Sequence, residues 1–258
     1  MKPNQPVFDF TVLGSGTCAV TQERSCAGYA LRCQDQLYML DMGFGTLRRM
    51  TQATIDYREI DAVLITHEHL DHSGDLVPFL MALHHTPGFI RRKPLTIIGP
   101  SGFYKFLKAC RALYGNWVLE SEGFDLSVHE MSNDRLDINK CTIKAYTMHH
   151  SRPTIGYRIE YRECVLAYSG DTGACANLIS LNQDADLAVL ECSFPDQKST
   201  EYHLTPEQAG TFAAKSGCKH LLLTHLYPMM DSVDIKTIVK KHYKGSVTIA
   251  EDLERIYL

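Results

Sequence analysis

Residues 66–72 read Thr-His-Glu-His-Leu-Asp-His and follow an apolar run at 60–66. Imidazole nitrogens suit zinc, iron and similar ions, and the carboxylate of Asp71 adds a harder oxygen ligand. Three histidines and an aspartate in so short a stretch are a composition that a solvated loop has little reason to adopt. In an extended or tightly turned segment His67 and His69 project together, whereas Asp71 and His72 follow a bend and can face a second position. The motif therefore points to two metal ions rather than one. Two other apolar runs end in groups of the same kind: 163–169 leads into Gly170-Asp171-Thr172, and 219–224 leads into His225. Strand ends that meet in a crevice are where sheet proteins place their sites.

The elements that must carry these groups are legible as patterns. Runs rich in β-branched or alternating apolar residues predict strands at 7–13, 27–33, 36–41, 60–66, 94–98, 141–148, 154–160, 163–169, 186–191, 219–224 and 246–249. Helical periodicity falls at 74–85, 101–114, 205–215 and 233–243. The third of these helices has Thr205 as N-cap, Pro206 at its first position and Gly217 just past its end. Strands come first and then alternate with helices, which predicts layered sheets covered by helices, an α/β (α+β) fold. No Pro/Ser-rich linker or repeat divides the chain, so one domain is expected over 1–258.

Composition bounds the function. The 258 residues are 45% hydrophobic and 22% charged, ordinary for a folded soluble chain. A net charge of −4 gives no global attraction for long nucleic acid, so any nucleotide must be caught locally. Nine scattered cysteines without a CxxC pair argue against a disulfide framework or a cysteine zinc site. No apolar stretch is long enough for a membrane span, and Met1 to Phe10 lacks the features of a secretory signal. A cytoplasmic protein with no membrane partner is expected.

H-x-H-x-D-H after a strand resembles the signature of the metallo-β-lactamase superfamily, and the rest of the chain follows that family in order. Leu13-Gly14-Ser15-Gly16-Thr17 and Leu40-Asp41-Met42-Gly43 resemble its opening strands. His150 in His-Ser-Arg-Pro-Thr-Ile-Gly-Tyr resembles the third histidine motif of ribonuclease Z-like members, Asp171 the bridging aspartate and His225 the final ligand. The resemblance implies a four-layer αββα sandwich. It further implies two divalent ions, zinc in the first instance with manganese or iron as alternatives. His67, His69 and His150 would hold one ion and Asp71, His72 and His225 the other, with Asp171 between them. His149 adjoins His150, but alternation lets only one face the metals, and the spacing to Gly156-Tyr157 favours His150. In the ribonuclease Z branch a strand-end glutamate orients a histidine at the mouth of a helix. Glu191 and His203 resemble that pair, which makes His203 a general acid.

By that resemblance the chain is a metal-dependent hydrolase. Metal-bound hydroxide would attack the substrate, Asp71 would serve as ligand and proton acceptor, and His203 would assist departure of the leaving group. Phosphodiesters are the first expectation. Only 20 residues separate His150 from Asp171, too few for the long arm with which ribonuclease Z enzymes grip tRNA, so small or cyclic phosphodiesters or short RNA fit better. Arg152, and the cluster Arg91-Arg92-Lys93, could supply positive charge to a phosphate. Trp117, Phe89 and Tyr157 are candidates to line a base-stacking pocket, and the apolar 76–83 stretch is either a core helix or a homodimer face. The rival enzyme reading is a carbonyl or sulfate-ester hydrolase of lactonase, thioesterase or arylsulfatase type. Ala174 and Cys175 stand where acyl-homoserine lactonases carry a tyrosine, which weakens the lactonase. A non-catalytic metal-binding scaffold is the remaining alternative, and such a chain is expected to have lost a ligand.

Overall fold

The computed structural model describes residues 6–121 and 123–258; the part of the leader reading that rests on residues 1–5 lies outside them. One seven-stranded sheet contains β1 (Phe8–Gly14), β2 (Gly28–Cys33), β3 (Gln36–Met42), β4 (Ala62–Leu64), β5 (Leu95–Pro100) and β6 (Leu126–Met131), with β14 (Arg255–Tyr257) returning to pair with β1. The second holds β7 (Arg135–Ile138), β8 (Cys141–Thr147), β9 (Ile155–Tyr161), β10 (Cys164–Tyr168), β11 (Leu187–Glu191), β12 (His220–Thr224) and β13 (Ser246–Ile249), side by side in that order.

Side-chain alternation divides the apolar residues between layers. Phe10, Tyr29, Leu31, Tyr38, Leu40 and Leu64 of the first sheet share a core with Ile143, Tyr157, Ile159, Leu166 and Val189 of the second. The intervening residues Ala30, Met39, Val63 and Ile97 face the other way, against α1 (Thr46–Gln52), α3 (Leu76–His85) and α4 (Phe103–Tyr114). On the far side Ala188, Leu190, Leu221 and Leu223 meet α5 (Asn177–Asn182), α6 (Pro206–Ser216) and α7 (Ile235–His242). Strands covered on both faces must be apolar on both, and the result is the expected helix-sheet-sheet-helix sandwich. Leu76, Phe79, Leu80 and Leu83 of α3 are buried in the outer core, so this face of the apolar 76–83 stretch is core, while Met81 is exposed. Among the described residues no helix is long and apolar enough to cross a membrane.

Strand direction is what positions the site. β3, β4 and β5 run parallel, as do β10, β11 and β12, while β8 and β10 both pair antiparallel with β9 and so share a direction. The carboxyl ends of β4, β8, β10, β11 and β12 therefore deliver the His67 motif, His150, Asp171, Glu191 and His225 to one edge of the sandwich. α6 begins there with a full capping box: Thr205 accepts from the amide of Gln208, whose side chain accepts from the Thr205 amide.

Candidate metal centre

Beyond β4 the chain turns at His69 into the short helix α2 (Leu70–Ser73), which aims Asp71 and the Nε2 of His72 at His225. The side-chain atoms then fall into two groups. Nε2 of His67, Nδ1 of His69 and Nε2 of His150 converge, with the first two 3.0 Å apart and the last two 3.3 Å apart. Nε2 of His72 and of His225 lie 3.2 Å apart, with Oδ2 of Asp71 at 3.6 Å from His225. Asp171 stands between the groups. Its Oδ2 is 3.8 Å from His67 and 3.9 Å from His150, and its Oδ1 is 3.1 Å from His72 and 3.3 Å from His225. His149 instead points outward, exposed, toward Glu201 at 3.4 Å.

Hydrogen bonds on the far side of each ring decide which nitrogen carries a proton. The Thr66 hydroxyl gives its one proton to Asp41 (2.9 Å), so Nδ1 of His67, 3.0 Å away, must be the donor in that contact. Nδ1 of His72 donates to Asp41 at 2.7 Å. The Ser193 hydroxyl donates to Glu191 at 2.7 Å, so Nδ1 of His225 donates to Ser193 at 2.9 Å. Nδ1 of His150 donates to the Tyr202 carbonyl at 3.2 Å. Where these rings are neutral, as metal ligands are, the opposite nitrogens are lone pairs that face one another and Asp171. Asp171 Oδ1 is buried and makes no hydrogen bond. Lone pairs crowded together without protons between them are unfavourable unless a cation fills the space, so the donor set fits two metal ions, one in each group.

Electrostatics follow from the same burial. Desolvation holds His67 well below the usual imidazole range. It works against the charged form of His72 too, but the carboxylates of Asp171 and Asp41 outweigh it and raise that ring. Burial also opposes the charged form of His203, yet its 2.9 Å hydrogen bond to Glu191 wins and pushes it up to about 9. Glu191 is buried and further accepts from the amides of Thr172 and Leu204 at 2.7 and 3.1 Å. His203 is thereby fixed over the second metal group, its ring stacked on His225 with centroids 5.8 Å apart.

Sequence reading had no means of assigning Asp41, Ser193 or the pocket walls. Asp41 sits at a bulge in β3, where Met42 pairs with Gly28 and Leu40 with Tyr29, and its backbone is left-handed at φ 56°. The bulge turns an otherwise outward side chain toward Thr66, His72 and Tyr168. His225 adopts the same backbone, φ 55°, a cost commonly concentrated at functional sites. Replacing Ser193 with alanine removes the acceptor that sets the His225 tautomer. The expected loss in affinity for the second ion is about 10- to 100-fold, to be read from competition with a chromogenic chelator; affinity equal to wild type would refute the tautomer argument. Gly43 packs so closely that a Cβ there would lie 2.0 Å from the Asp71 carbonyl oxygen. Gly43→Ala should therefore lower stability by about 1–3 kcal/mol, measured by denaturant unfolding.

A cavity of about 820 Å³ opens over the cluster, lined by His69, Asp71, His150, Asp171 and His203 and by Phe44, Leu70, Phe194, Tyr202 and Tyr227. Those aromatics replace the expected ones. Tyr157 is fully buried, bonded to the carbonyl of Ile65; Trp117 packs on the outer core beside His85; and Phe89 lies in a separate cavity with Arg91. The Arg91-Arg92-Lys93 cluster is likewise away from the cavity walls. Arg91 is buried and bonded to the carbonyls of Arg58, Ile60 and Pro94, and Lys93 pairs with Asp61 at 2.8 Å. Arg152 is exposed; Ser151, not Arg152, lines the cavity, although the Arg152 charge helps to depress His69 after burial and His72.

Residues 38–226 match the Beta-lactamase superfamily domain. The chain is 26% identical to ribonuclease Z of Mycolicibacterium paratuberculosis (strain ATCC BAA-968 / K-10), an alignment covering 97% of this chain and 98% of that one. Its fold is similar to the metallo-β-lactamase fold protein YhfI from Bacillus subtilis, with TM-score 0.84, 22% identity and 98% and 99% of the two chains covered. It is also similar to the short form of human tRNase Z, with TM-score 0.79, 24% identity and 96% and 98% covered. Since the family match spans well over half of its length, the chain belongs to the metallo-β-lactamase superfamily of metal-dependent hydrolases, on its ribonuclease Z-like side.

Proposed function

We propose that this chain is a dinuclear metal-dependent phosphodiesterase acting on small or cyclic phosphodiesters or short RNA. The observation that carries the reading is the convergence of four imidazole nitrogens, those of His67, His72, His150 and His225, on Asp171, beside a cavity that also holds Asp71 and His203. His67, His69 and His150 would hold one ion, Asp71, His72 and His225 the other, and Asp171 would touch both. Zinc is the metal proposed, and the same mixed donor set accepts manganese or iron. Such ions, when bound, neutralise charge on the phosphoryl oxygens and bring a water toward ionisation at neutral pH.

The protein's own groups supply the remaining steps. Asp71, a carboxylate on the cavity wall 3.6 Å from His225, can accept a proton from the attacking water. His203 faces the cavity from the second metal group and donates a proton to the departing oxygen. Glu191 keeps that ring charged and aimed. Arg152, exposed at the rim, offers a charge to a phosphate. The nine free thiols suit a reducing compartment, and the reading places the enzyme in the cytoplasm.

Hydrolysis of bis-p-nitrophenyl phosphate by the zinc-loaded protein tests the proposal. Turnover that Asp71→Ala abolishes supports it. A fully loaded protein inert to phosphodiesters would overturn it and bring lactones, thioesters and sulfate esters forward.

A further inference from the structure

A second cavity of about 450 Å³ adjoins the first and shares Val20, Cys26 and Phe44 with it. Its walls carry three arginines, Arg24, Arg48 and Arg49, and no carboxylate. Two of the three are committed. Arg49 reaches Ser25 at 2.8 Å and Asp252 at 3.1 Å, and Arg24 holds Ser15 and the Ala250 carbonyl at 2.6 Å, with Asp231 at 3.8 Å. Arg48 is exposed, and its guanidinium makes no hydrogen bond or ion pair among the described residues. Phe44 forms the partition between the cavities. One flank of its ring lies against Gly74, where a Cβ would come within 2.8 Å, and the side chain is 52% exposed.

A free guanidinium beside two fixed ones, one aromatic ring away from the metal-type cluster, is chemistry for a polyanion with a planar group in its middle. We propose that this cleft is a second phosphate subsite: Arg48 binds a phosphate one nucleoside away from the scissile diester, and the intervening base stacks on Phe44. The inference rests on the phosphodiesterase reading and narrows its substrates to nucleotides bearing a second phosphate, whether an oligonucleotide's next linkage or a terminal phosphate on a shorter substrate.

The test is calorimetric titration of the zinc-loaded protein with adenosine 3′,5′-bisphosphate, with each adenosine monophosphate and with inorganic phosphate. The bisphosphate should bind about tenfold more tightly than the better monophosphate. Arg48→Glu should collapse that ratio to near one, whereas Arg92→Glu, the same change of net charge in a different cavity, should leave it intact. Phe44→Ala should weaken both nucleotides by about tenfold relative to inorganic phosphate. A ratio near one in the wild type, or one that survives Arg48→Glu, overturns the subsite; nucleotide binding unmoved by Phe44→Ala overturns the stacking platform. Titrating 5′-phosphorylated and unphosphorylated dinucleotides then separates a strand's linkage from a terminal phosphate. Hydrolysis of bis-p-nitrophenyl phosphate by the same samples keeps the two readings apart, since an intact ratio without turnover would remove the phosphodiesterase and leave the subsite.

Discussion

Asp171→Ala should reduce phosphodiester turnover by about a thousandfold or more, the scale on which enzymes lose groups that act only in the assembled transition state. Among the described residues Asp171 is the side chain whose two oxygens face both groups of imidazoles, so its removal would uncouple two ions held there. The same substitution has a signature in metal-linked stability. Wild type should gain substantially from added zinc because the ions would bind only the folded state, and the variant should gain much less. Stopped assays and thermal unfolding with and without zinc read both effects. A variant that stays active, or that gains as much from zinc as wild type, would contradict the bridging role.

The second large effect is expected at His203. Its proton is needed only where the leaving oxygen departs poorly as an anion. His203→Ala should slow cleavage of a dinucleotide by about 10²- to 10⁴-fold, and slow bis-p-nitrophenyl phosphate much less, because p-nitrophenolate leaves with little help. Glu191→Gln should reproduce part of the effect by weakening the 2.9 Å hydrogen bond that keeps the ring charged. Equal losses on both substrates would mean that His203 shapes the cavity rather than donating a proton.

What could be read from the sequence was what is local in it. The ligand-type residues lie within a few positions of one another or directly after apolar runs, so the metal chemistry and the strand ends that deliver it were visible together. Helix α6 announced itself through Thr205, Pro206 and Gly217, and all three occupy the positions expected of them. The elements that went unread are those whose signal is not local. β7 is half exposed along its length, β6 buries only its last residue, and β14 is three residues long and pairs with a strand more than 240 positions away. α1 starts at a glycine without a side-chain cap.

The supporting residues of the site escaped for related reasons. Strand alternation would place Asp41 on the face opposite Leu40, toward the helices, and only a bulge with left-handed backbone turns it inward. Phe44, Phe194, Tyr202 and Tyr227 come from separate loops, and nothing in their spacing announces that they meet. Arg91, expected to offer charge to a phosphate, instead spends its guanidinium on three carbonyl groups inside the protein, a burial that a run of basic residues does not announce.

The central claim is that two ions and one bridging carboxylate form the catalytic unit. It is tested most directly by titrating zinc into metal-stripped protein while following hydrolysis of bis-p-nitrophenyl phosphate. Activity that is absent without metal and reaches its plateau at about two equivalents per chain is the predicted result. A plateau at one equivalent, or turnover that does not depend on metal, would contradict it.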